Sequence, residues 1–372
     1  MSKLKKRADG RFQSKVYLGV YDGVSKYKFV YGKSQKEVDE KVFALKLSLK
    51  KGIDVGSQDD TFKDWAERWL TFKKLEVSHN WFLSIFNRID NLEPLYNMQI
   101  SKIKSSDIQY LINHYATEPC EQTGKPYSKK TLNDLKIVAQ SVFKIAIDNR
   151  VIDYNPASSV KIPKAAETVT KRALNEDERN FITDTPHRAQ LAAMIMMFSG
   201  LRRGELIPLT WSDIDLKNKT INVNKSVEMI DGKPVLKYMT KSKAGMRVVF
   251  IPQLLVEFLK VQKRTSLLVC PSAGGVIMTR SAWRKMWEKY LSDLKLKYGS
   301  DAVPRFTAHW LRHTFITMMY FAGVDILTAK EQAGHADIKT TMAIYTHLDK
   351  QFKKNSMSKL DDFLMKNKLA IV

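Results

Sequence analysis

The sequence predicts a multidomain α+β chain. A small basic N-terminal β-sheet with a helix comes first, then a helical module, then a mainly α region carrying a small antiparallel sheet. Three observations predict this. The chain has 372 residues, too many for one ordinary core. Its apolar residues follow strand spacing near the start, helix spacing after residue 60, and a mixture from Arg172 onward. Two polar stretches, Gly52 to Asp60 and Lys161 to Lys171, read as linkers between these regions. The predicted boundaries are therefore 1–55, 61–160 and 172–372.

In the first region, Lys15 to Val20 and Lys26 to Tyr31 read as strands around a turn at Asp22-Gly23. A helix follows from Ser34, with Gln35, Val38, Val42, Leu45 and Leu49 along one stripe. Through Lys51 this region holds 14 Lys/Arg against 5 Asp/Glu. Basic strands with interleaved aromatics suit a small sheet lying in a DNA groove, although an ordinary solvated sheet face reads the same way.

In the second region, Thr61 is a candidate N-cap, followed by Trp65, Trp69 and Phe72. Ser105 or Ser106 is the candidate cap of a helix that turns Ile108, Leu111 and Ile112 inward. The longest helix is expected from Ser128 to about Asn149, with Leu132, Leu135, Val138, Ala139, Val142, Phe143, Ala146 and Ile147 as a wide apolar face. Asn155-Pro156 closes the region.

In the third, Leu174 to Glu178 reads as a helix start. The longest apolar run, Leu191 to Phe198, is far too short to span a membrane and reads as a buried helix. Ile221 to Val227, Val235 to Thr240 and Arg247 to Ile251 read as strands, joined at Asp231-Gly232 and Lys243-Ala244-Gly245. Helices are expected again from Ser281. The tail, Leu348 to Val372, spaces Phe352, Met357, Leu360, Phe363, Leu364 and Leu369 as one or two short amphipathic helices.

Composition narrows the function. The 62 Lys+Arg against 39 Asp+Glu leave a formal charge of +23, which points to a polyanion, by default nucleic acid. The two cysteines, Cys120 and Cys270, have no Cys or His at metal-ligand spacing, so a structural zinc is not expected. The basic N-terminus precedes no apolar segment and does not read as a signal peptide.

Four clusters in the third region carry chemistry: Gly200-Leu201-Arg202-Arg203-Gly204-Glu205, Thr240 to Arg247, His309-Trp310-Leu311-Arg312-His313, and Gly334-His335 with Tyr345 and His347 beyond. Breaking a phosphodiester without metal needs fixed cations around the non-bridging oxygens, and arginine meets phosphate with a planar fork. The leaving oxygen needs a proton donor, Lys or His. Storing the bond for resealing needs a side-chain nucleophile. A phenol, with a pKa of about 10, needs nearby cations or a base. Two arginines, a lysine, two histidines and a tyrosine complete that set. Any one of them alone reads blandly: Tyr345 is one of 14 tyrosines, and His309 or His335 alone reads as a satisfied core histidine.

His309-x-x-Arg312, Gly334-His335 and Tyr345 at these offsets, with the Arg202 and Lys243 motifs before them, resemble the tyrosine recombinase (phage integrase) family over about 172–350. The helical module ending Asp153 to Ala157 is similar to that family's core-binding domain. The basic N-terminal piece resembles the arm-binding domain of integrases from temperate phages and integrative conjugative elements. The resemblance implies that Tyr345 attacks the scissile phosphate, giving a 3′-phosphotyrosyl link and a free 5′-hydroxyl. Arg202 and Arg312 would hold the phosphate oxygens, Lys243 would protonate the 5′-oxygen, and His309 and His335 would bond the phosphate and assist proton transfer. Lys241, two residues away on the same strand face, remains a rival to Lys243. Glu205 would sit beside Arg202 on one helix face and orient the site, with Arg203 pointing about 100° away. His313 reads as structural, and His347 stays outside the set.

The same resemblance implies double-stranded DNA as partner, at core and arm-type sites, and a homotetramer on that DNA. It leaves room for DNA-bending accessory proteins or an excisionase, and the tail would pack on a neighbouring protomer or fold back on its own domain. No metal, nucleotide or other cofactor is called for, no membrane is involved, and the place of action is the bacterial cytoplasm, at the nucleoid. Rival readings keep the chemistry for supercoil relaxation or dimer resolution, or drop it for a catalytically silent DNA-binding regulator. A metal-dependent hydrolase on His309, His313 and Glu205 fails on spacing.

Overall fold

The computed structural model describes residues 6–345, apart from positions 22, 51, 53, 58, 122, 165, 167–171 and 239–245; for Tyr21 and Tyr345 it describes the backbone alone. Lys241, Lys243 and the tail from Leu348 fall outside the described residues. The chain divides into two compact units, Met1–Val169 and Thr170–Val372.

The first unit opens with strands β1 (Phe12–Tyr21) and β2 (Val24–Gly32), paired antiparallel with Tyr17 opposite Tyr27. Both are longer than the sequence pattern indicates. Strand alternation sends Val16 inward and Lys15 and Tyr17 outward. Helix α1 (Gln35–Lys50) packs on both strands. Only Val38 of its expected stripe is fully buried; Val42, Leu45 and Leu49 are half-buried, because a two-stranded sheet is too narrow to cover a helix face. On the outer face the Lys15 ammonium lies 3.7 Å from the centre of the Tyr27 ring, and Arg7 and Arg11 stand over Tyr31.

The stretch read as a first linker is tied down. Val55 is buried, and the Asp54 N–H donates to the Arg150 carbonyl at 2.7 Å. The bundle that follows comprises α2 (Phe62–Glu76), α3 (His79–Asp90), α4 (Ser105–Thr117) and α5 (Lys129–Asp148). Thr61 caps α2 as expected, its hydroxyl accepting from the Asp64 N–H while the Asp64 carboxylate accepts from the Thr61 N–H. Trp65 and Trp69 are buried, while Phe72, next in the same series, faces solvent. The cap of α4 is Lys104 rather than either serine: Asp107, three residues on, accepts the Lys104 N–H at 2.8 Å, so the helix starts earlier. Ser128 caps α5, and its apolar face fills the core with Phe62, Leu92 and Ile108. Ala166 joins that core and Ile162 packs against it, so described parts of the second linker also pack.

The second unit contains α6 (Glu176–Thr183), α7 (Gln190–Ser199) and a four-residue helix α8 (Arg203–Leu206). Strands β3 (Ile214–Asp215), β4 (Thr220–Val223), β5 (Lys225–Ile230), β6 (Lys233–Tyr238) and β7 (Arg247–Phe250) follow. They form a three-stranded sheet, β3-β4-β7, and a separate hairpin, β5-β6. The strand expected over Ile221 to Val227 is thus two. It breaks at Asn224, whose side chain and that of Lys225 both turn to Asp213, carrying the chain from one sheet to the next. Helices α9 (Gln253–Lys260), α10 (Arg280–Tyr298), α11 (Ala308–Phe321), α12 (Ile326–Ala333) and α13 (Ile338–Tyr345) complete it. Helix α9 has no counterpart in the sequence reading. A main core gathers around α7, β4, α9 and α10. A satellite cluster of Phe315, Ile316, Met319, Ala329 and Ala333 joins α11 to α12, with Ile344 of α13 packed against it. Among the described residues no helix is long and apolar enough to cross a membrane.

Candidate active site

The site forms where two helices end. The apolar helix α7 is buried nearly throughout and stops at Gly200, whose φ of 66° is left-handed. A Cβ there would stand 2.3 Å from the Phe315 ring, so only glycine lets this turn approach α11. The Gly200 carbonyl, freed from the helix ladder, accepts Nη1 of Arg312 at 2.6 Å. Helix α12 stops in the same way at Gly334, φ 64°. A Cβ there would stand 2.7 Å from Cζ of Arg247, and the Gly334 carbonyl accepts Nη2 of Arg202 at 2.6 Å. Each of two arginines is therefore aimed by a left-handed glycine at a helix end.

Arg202 is the N-cap of α8, with extended backbone, rather than a residue within a helix. The expectation that Arg202 and Glu205 share a helix face, with Arg203 turned about 100° away, is corrected accordingly. Contact with Glu205 arises from capping instead. The Glu205 carboxylate accepts the Arg202 N–H at 2.8 Å and Arg202 Nη1 at 2.9 Å.

Glu205 is only 3% exposed and is shared. Its two oxygens also accept Nη1 and Nη2 of Arg247, at 3.0 and 2.9 Å. Burial alone would raise the pKa of Glu205, but the hydrogen bonds and charge of Arg247, with Arg202, hold it below the ordinary value. Arg247, at the start of β7, further donates from Nε to the Gln332 carbonyl at 3.1 Å. One carboxylate thus anchors two arginines, and the pair spans α8, β7 and the end of α12.

Arg312 is different. It is 3% exposed, and among the described residues it forms no ion pair and its buried Nη2 has no hydrogen-bond partner. Burial, then the charge of Arg202, pushes its pKa down to about 9, which leaves it a cation at neutral pH. A buried guanidinium with an unused N–H beside a second arginine calls for an anion. His309, exposed, lies three residues earlier on α11, on the same helix face. His335 is buried, its pKa pushed down to about 4 by burial and then by Arg312, Arg202, His309 and Arg247. Its Nδ1 lies 2.8 Å from Oγ1 of Thr341. Tyr345 ends α13, one helical turn beyond Thr341.

Of the residues singled out in the sequence, Arg202, Glu205, His309, Arg312 and His335 are brought together, with Tyr345 on the adjoining helix. Lys243 and its rival Lys241 lie outside the described residues. Two participants had no role in the sequence reading, Arg247 and Thr341. Arg247 had a signal: strand alternation puts it on the same side as the fully buried Val249, and a buried arginine needs an acid.

The fold sets two arginines, each aimed by a helix-ending glycine, beside a helix that ends in tyrosine. The chain belongs to the phage integrase family, whose model matches residues 166–351. It is an integrase-type tyrosine recombinase, an enzyme of site-specific recombination. A tyrosine recombinase XerC-like protein of Caldanaerobacter subterraneus subsp. tengcongensis is 30% identical over 371 residues, covering 90% of this chain and 91% of its own. The ICEBs1 integrase of Bacillus subtilis is 28% identical over 293 residues, 75% of this chain and 78% of its own. Among solved structures, the Tn1549 transposon integrase in complex with a circular intermediate DNA matches with a TM-score of 0.68 at 22% identity, over 80% of this chain and 99% of that one. A lambda integrase tetramer bound to a Holliday junction matches with a TM-score of 0.57 at 16% identity, over 90% and 95%.

Proposed function

We propose that Tyr345 opens the DNA backbone and that this constellation runs the integration and excision of a mobile element. The Tyr345 oxygen attacks the scissile phosphorus and the bond to the 5′-oxygen breaks. A 3′-phosphotyrosyl link remains, with a 5′-hydroxyl that takes its proton from Lys243. Arg202 and Arg312 hold the non-bridging oxygens as charge gathers on them. His309 and His335 bond the same phosphate and assist proton transfer, while Glu205 orients Arg202. Attack by the 5′-hydroxyl of the other duplex reverses the step on a new partner and regenerates the phenol.

The observation that carries this reading is Arg312: a buried cation aimed by Gly200, with an N–H that no described residue accepts. Held so, it is poised for a phosphate oxygen without reorganisation. The outer face of the β1-β2 hairpin, with Lys15, Arg7 and Arg11 over aromatic rings, supports an arm-type DNA-binding role for residues 1–55. Residues 61–160 would grip the core site and residues 172–372 would perform the chemistry. The fold shared with a lambda integrase tetramer on a Holliday junction supports a homotetramer on double-stranded DNA; DNA-bending proteins or an excisionase would be its helpers. The work would be done at the nucleoid, in the bacterial cytoplasm.

The test is a nicked suicide substrate incubated with the protein in EDTA. A covalent adduct is expected with the wild type and not with Tyr345→Phe. No wild-type adduct would leave only a DNA-binding protein, and a need for divalent metal would overturn the tyrosyl mechanism.

A further inference from the structure

We propose that Thr341 is a positioning residue: its hydroxyl fixes the tautomer of His335 and ties that ring to the helix carrying Tyr345. The inference rests on the recombinase reading for its purpose, but its chemistry is visible without DNA. Thr341 is wholly buried in α13, four residues before Tyr345, and its Oγ1 lies 2.8 Å from His335 Nδ1.

A neutral imidazole has one N–H and one lone pair. The groups facing His335 from the neighbouring elements are Arg312 and His309 on α11, Arg202 before α8, and Arg247 on β7. They disfavour a second proton on the ring, so the single proton must be placed. If Thr341 donates to Nδ1, the proton sits on Nε2, and His335 presents a donor to a phosphoryl oxygen. If Nδ1 donates to Thr341, Nε2 carries a lone pair and repels that oxygen. Only the first arrangement suits a phosphate-binding histidine. The backbone fixes the rest of the geometry: the His335 N–H donates to the Lys330 carbonyl at 3.0 Å, and α13 packs against both α11 and α12. The Thr341 hydroxyl is thus the link through which the ring and the tyrosine helix share one position.

The experiment compares Thr341→Val, which keeps the shape and removes the hydroxyl, with Thr341→Ser, which keeps the hydroxyl. Nitrogen-15 imidazole spectra of the DNA-free protein, with the His335 signal assigned by its loss in His335→Gln, read the tautomer directly. Protonated Nε2 is expected in wild type and Thr341→Ser, and a mixture in Thr341→Val. In single-turnover cleavage at saturating DNA, Thr341→Val should lose about tenfold in rate with unchanged DNA affinity, the weight of one hydrogen bond. Thr341→Ser should recover most of it. A wild-type His335 with its proton on Nδ1 would overturn the proposal, and so would a Thr341→Val enzyme that matches wild type in both spectrum and rate. Because the spectra need no DNA, failure here is distinguishable from failure of the recombinase reading, which shows as a wild type that forms no adduct.

Discussion

Glu205 and Arg247 face each other as a two-point ion pair, with N–O distances of 3.0 and 2.9 Å, and both side chains are buried. Removing Glu205 leaves the Arg247 fork without its acid, and removing Arg247 leaves the buried carboxylate to Arg202. Arg247→Ala should therefore destabilise the second unit by about 3–5 kcal/mol, the range for breaking one side of a buried pair. Urea unfolding followed by Trp fluorescence measures it. A loss under about 1 kcal/mol would mean that the pair is solvated, as surface pairs are.

The same carboxylate sets an acid dependence. Glu205 ionises below its ordinary value of 4.5 in the folded protein, because its hydrogen bonds and the arginine charges outweigh burial. A carboxyl with a depressed folded pKa adds stability above its unfolded pKa and loses it as pH falls through the folded one. Thermal midpoints of the wild type should drop on acidification below 4.5. Glu205→Gln, already missing that contribution, should show a shallower drop. Parallel curves for the two proteins would refute this account.

Gly334 and Gly124 allow a controlled comparison. Their φ angles are 64° and 63°, yet a Cβ at Gly124 meets nothing within 4 Å while one at Gly334 strikes the Arg247 guanidinium. Gly124→Ala should cost only the left-handed strain, about 1–2 kcal/mol. Gly334→Ala should cost more and should also slow cleavage, because the moved carbonyl is the one that aims Arg202. Equal stability losses, with normal cleavage in Gly334→Ala, would remove the contact from the argument.

Much of this was readable in the chain, and the misses have physical causes. Capping by Thr61 and Ser128 and the buried run of α7 depend on neighbouring residues alone, so local pattern sufficed. Arg202, His309, Arg312, His335 and Tyr345 were legible as a set because phosphate chemistry restricts the residue types and their order resembles the family's; Glu205 was legible through that resemblance alone. The position of Arg202 as a helix cap was not, since it depends on Gly200 turning left-handed against Phe315, a contact 115 residues away in sequence. Arg247 and Thr341 were missed for the same reason: each acts through a partner brought in by tertiary packing. The break at Asn224 likewise follows from Asp213, which no strand pattern reports.

Arg312 sets function against stability. Its charge is buried, its pKa is pushed down to about 9 because the charge of Glu205 offsets the desolvation only in part, and its Nη2 has no hydrogen-bond partner among the described residues. Among the described groups only the Gly200 carbonyl answers it, through Nη1. Such a group costs folding free energy that a phosphate recovers only when DNA is bound. Arg312→Met, similar in length and uncharged, should therefore be at least as stable as wild type in the absence of DNA, with a gain of about 1 kcal/mol. Its cleavage of a suicide substrate should fall by at least about 10²-fold, as for loss of one preorganised donor to a developing oxyanion. Arg312→Lys keeps the charge but not the fork, and one ammonium does not serve both the Gly200 carbonyl and a phosphate oxygen in the same geometry, so it too should cleave slowly. Calorimetry without DNA and adduct formation at saturating DNA separate the two effects. An Arg312→Met protein that is both less stable and still active would show that the arginine is structural and that the anion is held elsewhere.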